Sequence, residues 1–171
     1  QGNFINGFVT CAHGFTTSSY AVPVYNSSSA NIGNLDINKY AYGGSVDAAF
    51  IAINSGYSVT NQIKGTSDYT TASYTTLAQG SIVHKRGQST GSTTGIVQNS
   101  SYTSPGDSTT PTLTDTVKAS YNRAAGDSGG ITYSGSGNTS IPAGIHIRGT
   151  SDYGVYCKAY NIITSLGVSI Y

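Results

Sequence analysis

Short apolar, β-prone runs separated by Gly-, Ser- and Asn-rich turns make up most of this chain. Phe8-Val9-Thr10-Cys11-Ala12-His13-Gly14 is an apolar run that ends in small residues, and it predicts a strand that delivers His13 to a loop at its end. Ala21 to Tyr25 predicts a short strand, and the stretch from Ser27 to Asn38 reads as polar and turn-rich. Asp47 leads directly into the apolar run Ala48 to Ile53. Between Tyr57 and Leu77, β-branched and aromatic residues alternate with Ser, Thr and Asn, which predicts two or three strands. Ile82 to Gly87 and Gly95 to Val97, joined through Thr90-Gly91, read as a hairpin with bulges at its glycines. A polar loop from Ser100 to Thr114 follows, then strands at Asp115 to Tyr121, Ile131 to Tyr133, Ile141 to Gly149 and Gly154 to Ala159. One helix is expected, from Tyr160 to Leu166, stopped by Gly167. No repeat or linker interrupts the pattern, so it predicts a single all-β unit.

Composition narrows the classes. The 171 residues hold no Met, Trp or Glu, and only 9% are charged, which fits a secreted protein rich in strands and turns. A formal net charge of +1 leaves no electrostatic footprint for nucleic acid, and no apolar run approaches a membrane span, so neither partner is expected. The chain starts with Gln1 and carries no export signal, the expectation for a processed or truncated chain. Cys11 and Cys157 are too far apart for a zinc knuckle and lack His at metal-binding spacing, so no metal and no cofactor is expected. The residues alone leave them as one long-range disulfide or two buried thiols.

The chemistry concentrates in Ala125-Gly126-Asp127-Ser128-Gly129-Gly130. Glycines around one hydroxyl leave it open, and such a turn can aim the N–H groups of Gly126 and Ser128 at one point beside it, as an oxyanion hole requires. A serine hydroxyl needs a base to take its proton, and the base needs an orienting acceptor. His13 is the candidate base. Asp47 is the candidate acid, because a carboxylate at the edge of an apolar strand costs energy unless it is paired. His84 stands beside Lys85 and Arg86, which disfavour its protonation, and reads as a solvated strand residue.

The chain order His13, Asp47, Ser128 and the blocks around these residues resemble the chymotrypsin-like serine proteases, with the bacterial streptogrisin-like branch nearest. Thr10-Cys11-Ala12-His13 is similar to that branch's Thr-Ala-Gly-His, Val46-Asp47 to Ile51 to its Asp-Tyr-Ala-Ile-Val, and Gly126 to Gly130 to its Gly-Asp-Ser-Gly-Gly. Val83 to Gly91 and Gly167-Val168-Ser169-Ile170-Tyr171 add two further blocks. The resemblance implies two antiparallel six-stranded β-barrels, about residues 1–77 and 78–171, with a short C-terminal helix and the active site between them. It also implies a secreted endopeptidase acting on polypeptides, with Ser128 as nucleophile, His13 as general base and acid, Asp47 orienting His13, and Gly126 and Ser128 supplying the oxyanion N–H groups. Asp127 would be buried behind that hole and paired with Lys85, or alternatively with Arg86.

Departures from the family carry their own expectations. His146-Ile147-Arg148-Gly149 replaces a Thr-Ser-Gly-Gly segment that lines the specificity pocket. A His at the first position resembles the glutamyl endopeptidases. With Arg123 and Arg148 flanking the same region, the resemblance points to a pocket for Glu or Asp before the cleaved bond, the alternative being a His that caps a neutral pocket. Ile147 removes a hydroxyl that helps hold the triad acid, so Asp47 is expected to lean on Thr10 or on backbone donors. Family geometry would put Cys11 and Cys157 on neighbouring strands near Asp47, which implies a disulfide. Some two dozen residues precede this His in family members, so the first barrel is expected to be incomplete at its N-terminus, rebuilt, or completed by a separate fragment or partner chain. The alternative to an enzyme is a catalytically inactive, protease-like binding or structural module.

Overall fold

The computed structural model describes residues 4–15, 21–40, 44–107 and 110–171. Within them run β1 (Gly7–Thr10), β2 (Pro23–Tyr25), β3 (Asn31–Tyr40), β4 (Asp47–Ile53), β5 (Ile82–Gly87), β6 (Gly91–Ser104), β7 (Leu113–Ala119), β8 (Ile131–Ser134), β9 (Ile141–Gly149), β10 (Gly154–Lys158) and the helix α1 (Ala159–Leu166). The first four strands form a sheet in the order β1-β4-β3-β2, and the other six close into a barrel, β10-β7-β6-β5-β8-β9. All neighbours are antiparallel.

The period-2 pattern of β4 explains how the two parts meet. Ala48 and Phe50 face a core shared with Leu113 of β7, Ile145 and Ile147 of β9, Val155 and Cys157 of β10, and Ile162 and Leu166 of α1. Ala49 and Ile51 face the other way, against Ala12 and Leu35. The barrel interior is separately filled by Val83, Val97, Val117, Tyr121, Ala143 and Tyr156. Helix α1 ends in Gly167 at φ +66, whose N–H returns to the Ile163 carbonyl, as the glycine stop predicts. Asp115, at φ +51, is held by Lys158 and by Asn161 Nδ2 at 3.0 Å, which fastens β7 to the start of α1.

Several expectations change. The first six-stranded barrel is an open four-stranded sheet among the described residues, because no strand joins the edges β1 and β2. The stretch 27–38, read as turns, contains most of the long strand β3, whose alternation is broken by a bulge between Leu35 and Ile37. The strands expected between Tyr57 and Leu77 reduce to the bridges Gln62↔Tyr69 and Thr70↔Ser140. There, backbone groups are satisfied by turn and loop bonds such as Ile63 N–H to Asp68 O (2.9 Å) and Thr75 N–H to Pro142 O (2.9 Å), and the tyrosines at 57, 69 and 74 lie exposed. The polar loop begins later than expected, since β6 continues to Ser104; residues 108 and 109 lie outside the described residues.

Leu113 is fully buried where sheet, barrel and helix meet, so Leu113→Ala is expected to lower unfolding free energy by about 2–5 kcal/mol. Ile82→Ala, at a strand position that is 60% exposed, is expected to stay within about 0.5 kcal/mol. Urea unfolding at pH 7 compares the two.

Candidate active site

Asp47 opens β4 at the point where β1 turns out of its sheet, a turn closed by Phe15 N–H on the Ala12 carbonyl. Its carboxylate is fully buried. Oδ1 accepts the N–H groups of Ala12 (2.8 Å) and His13 (3.0 Å), and Oδ2 lies 2.6 Å from His13 Nδ1. A carboxylate only accepts, so Nδ1 carries the proton and Nε2 is left as the base of the neutral ring. The Asp47 hydrogen bond, followed by that of Cys11, raises the His13 pKa to about 10 against the opposing effect of burial. Asp47 thus leans on backbone donors. Thr10 instead lies against Gly129, where a β-carbon would collide with its Oγ1.

The Ser128 turn is built on a second buried carboxylate. Asp127 Oδ2 receives Lys85 Nζ (2.6 Å), Thr90 Oγ1 (2.7 Å) and Ala124 N–H (3.0 Å), and Oδ1 receives the N–H groups of Ser89 (2.8 Å) and Thr90 (3.0 Å). Burial works to raise its pKa, but Lys85 and the Thr90 donors hold it well below the usual carboxylate range. Arg86 is engaged elsewhere, on the carbonyls of Lys64 and Gly87. Gly126 at φ +92 and Gly129 at φ +83 take conformations that L side chains rarely adopt, and a β-carbon on Gly126 would lie 2.6 Å from Ser89 Oγ. Gly129 N–H bonds to His146 O at 2.8 Å and Gly130 N–H to Asp127 O at 2.9 Å. Among the described residues, the N–H groups of Gly126 and Ser128 have no acceptor. Ser128 Oγ donates to the Ile147 carbonyl at 3.1 Å, and no hydrogen bond joins it to His13.

The substituted segment 146–149 ends β9. A bulge separates the pairs Tyr156↔His146 and Val155↔Arg148, leaving Ile147 as the extra residue. His146 therefore packs inward with Tyr121, while Ile147 and Arg148 line a cavity that also contains His13. His146 is 1% exposed, and burial followed by the charge of Lys85 lowers its pKa to about 4. Tyr121 OH lies 3.0 Å from His146 Nδ1, and burial pushes that phenol well above 10. A neutral phenol both donates and accepts, so this contact is compatible with the tautomer that carries its proton on Nε2. Tyr121 stood outside the sequence expectations, since nothing in its local pattern tells a barrel-filling tyrosine from a partner of His146.

The two arginines do not flank the His146 region as free cations. Arg123 binds the carbonyls of Thr150 (Nε, 2.8 Å) and Gly149, and Arg148 Nη1 binds those of Pro111 (3.1 Å) and Pro105 (3.4 Å). Cys11 and Cys157 are buried free thiols, not a disulfide. Cys157 Sγ is turned to the Asp47 N–H at 3.3 Å, and burial raises its pKa to about 12. His84 bonds Thr94 Oγ1 at 2.8 Å along the hairpin of β5 and β6. Among the described residues no three His, Cys, Asp or Glu side chains group as metal ligands, and no helix is long and apolar enough to cross a membrane.

Lys85→Met leaves Asp127 as a buried carboxylate without its cation, and is expected to cost about 3–5 kcal/mol in urea unfolding at pH 7. His146 sets the acid side of stability. Its native pKa of about 4 lies below the ordinary 6.5 of the unfolded chain, which therefore binds more protons between these pH values, and stability falls as pH drops from 6.5 to 4. In His146→Gln that loss, about 3 kcal/mol, should be absent from unfolding curves compared at pH 7 and pH 4. His13 acts oppositely: its contribution is complete below 6.5 and is lost as pH rises through about 10.

No known family profile and no curated sequence matches the chain. Solved structures do. A structure described as a glutamic acid-specific serine protease that uses a novel histidine triad in substrate binding superposes with a TM-score of 0.77 at 20% identity, over 98% of this chain and 87% of that one. Protease A of Thermobifida fusca gives 0.74 at 22% over 96% and 83%, and a Nocardiopsis protease gives 0.70 at 23% over 97% and 85%. A carboxylate-bound His13, a glycine-framed Ser128 turn and a barrel packed on a sheet thus stand in a chain with the fold of the chymotrypsin-like bacterial serine proteases.

Proposed function

We propose that this protein is a secreted serine endopeptidase that cleaves peptide bonds through an acyl-enzyme at Ser128. The observation that carries the reading is the pairing of His13 Nδ1 with buried Asp47, opposite a turn in which Gly126 and Ser128 offer two N–H groups without acceptors. Ser128 Oγ swings from the Ile147 carbonyl to His13 Nε2, gives up its proton and attacks the substrate carbonyl. The two N–H groups receive the oxyanion, and each contributes roughly 3 kcal/mol to lowering the barrier. His13 then passes the proton to the leaving amine, and a water repeats the sequence on the ester. Asp47 keeps Nδ1 protonated throughout.

Beyond His146, whose N–H and carbonyl pair with Gly130 and Gly129, the edge of β9 away from β10 has no strand partner among the described residues, so an extended substrate can add there as a further strand. For the residue before the cleaved bond we propose Glu or Asp. The Nε2–H of neutral His146 supports this as a donor for a carboxylate, and the glutamic acid-specific neighbour supports it by analogy. One observation favours a second reading, an inactive protease-like module: Ser128 bonds Ile147 O rather than His13.

A fluorophosphonate probe separates the two readings, since the endopeptidase should be labelled at Ser128 and Ser128→Ala should not; an unlabelled folded protein makes the inactive module the better account. Only neutral His13 can act as base, so kcat/KM is expected to rise with pH with a midpoint above 6.5. Asp47→Asn should lower kcat by about 10⁴ through the wrong tautomer. Peptides carrying Glu, Gln, Phe or Lys before the scissile bond test the pocket: Glu should lead, and His146→Thr should erase that lead. Equal or better cleavage after Phe removes the acidic preference.

A further inference from the structure

The cavity beside His13 contains two polar groups that the triad does not use. It encloses about 360 Å³ between the end of β3, the segment after β6 and the end of β9, and Tyr40 and Arg148 line it. Arg148 Nη1 is engaged on the carbonyls of Pro105 and Pro111, but among the described residues Nη2 is buried with no hydrogen-bond partner of good geometry. The same holds for the Tyr40 hydroxyl, which lies close enough to Arg148 to feel its charge, and burial raises its pKa, so it stays neutral. A buried donor left unpaired is costly, and a guest bearing an acceptor oxygen recovers that cost.

Position along the substrate follows from strand geometry. Successive side chains of an extended peptide on β9 point to opposite faces. With the acylated residue facing the His146 side, the residue before it faces His13, and so faces this cavity. The other titratable groups there are His13, Tyr153 and Asp107. Asp107 accepts Thr110 N–H at 2.8 Å, which ties its carboxylate into the loop it belongs to. A guanidinium N–H and a phenol O–H together suit a carboxylate more than a carboxamide, because the cation strengthens the bond.

We propose that Arg148 and Tyr40 form a specificity subsite for an acidic side chain at the second residue before the scissile bond. The inference rests on the endopeptidase reading for its register along the substrate, and its test does not require turnover. Binding of peptides to the Ser128→Ala protein is measured by fluorescence anisotropy, with Glu, Gln, Leu or Lys at that second position and all other residues held constant. Glu is expected to bind about tenfold tighter than Leu, with Lys weakest. Arg148→Met and Tyr40→Phe should each shrink the Glu to Leu ratio, and Arg148→Lys should keep part of it. Thermal melts show whether each variant is folded; the milder Tyr40→Phe decides the matter if Arg148→Met loses its loop anchor. Equal binding of Glu and Leu, or a ratio unchanged in the folded variants, overturns the subsite. Failure of wild-type protein to label with fluorophosphonate overturns the endopeptidase reading instead, and the binding ratio is unaffected by that result.

Discussion

A carboxylate taken wholly out of water must be surrounded by donors, and Asp47 meets that demand with groups from a different strand. The N–H groups of Ala12 and His13 and the His13 ring all converge on it, so the exit of β1 is locked to the entry of β4. Ala48 and Phe50, immediately downstream, carry the same strand into the core shared with barrel and helix. The position of the base is therefore fixed by the packing that joins the two halves. Its electrostatics follow from the same contact, since the bond that orients His13 is also the largest cause of its raised pKa.

Asp127 repeats the solution one turn away, with Lys85 supplying the charge and Thr90, Ser89 and Ala124 supplying neutral donors. The two carboxylates divide the labour: one holds the base, and the other holds the turn that carries the hydroxyl. The Ile147 carbonyl accepts the hydrogen bond of the Ser128 hydroxyl. The contacts that orient His13 and the Ser128 turn are complete, and no hydrogen bond joins Ser128 to His13.

Burial gives opposite results at the two histidines of the site. His13 gains a carboxylate and is raised; His146 gains only a phenol and lies under the influence of Lys85, and is lowered. A neutral His146 carries a single ring N–H and no fixed positive charge. Arg123, far from this segment in sequence, and Arg148, within it, both bind loop carbonyls.

The residues by themselves determined the strand-rich class and the glycine stop of α1, and they singled out His13, Asp47 and Ser128 as candidates, while the partner of Asp127 was left between Lys85 and Arg86. Each is legible because it depends on local chemistry: alternation, a backbone that only glycine adopts, a carboxylate that cannot be buried alone. Tertiary structure decided the rest. Whether the alternating segment 57–77 becomes strands depends on a partner edge, and the structure offers it only two bridges. Whether Cys11 and Cys157 bond depends on where each sulfur points, and Cys157 points to Asp47. The surroundings of Tyr121 and Arg148 arise from a bulge at Ile147 and from closure of the barrel, both set by hydrogen bonds between strands far apart in the chain. No local pattern encodes such contacts, because their energy exists only once distant segments have met.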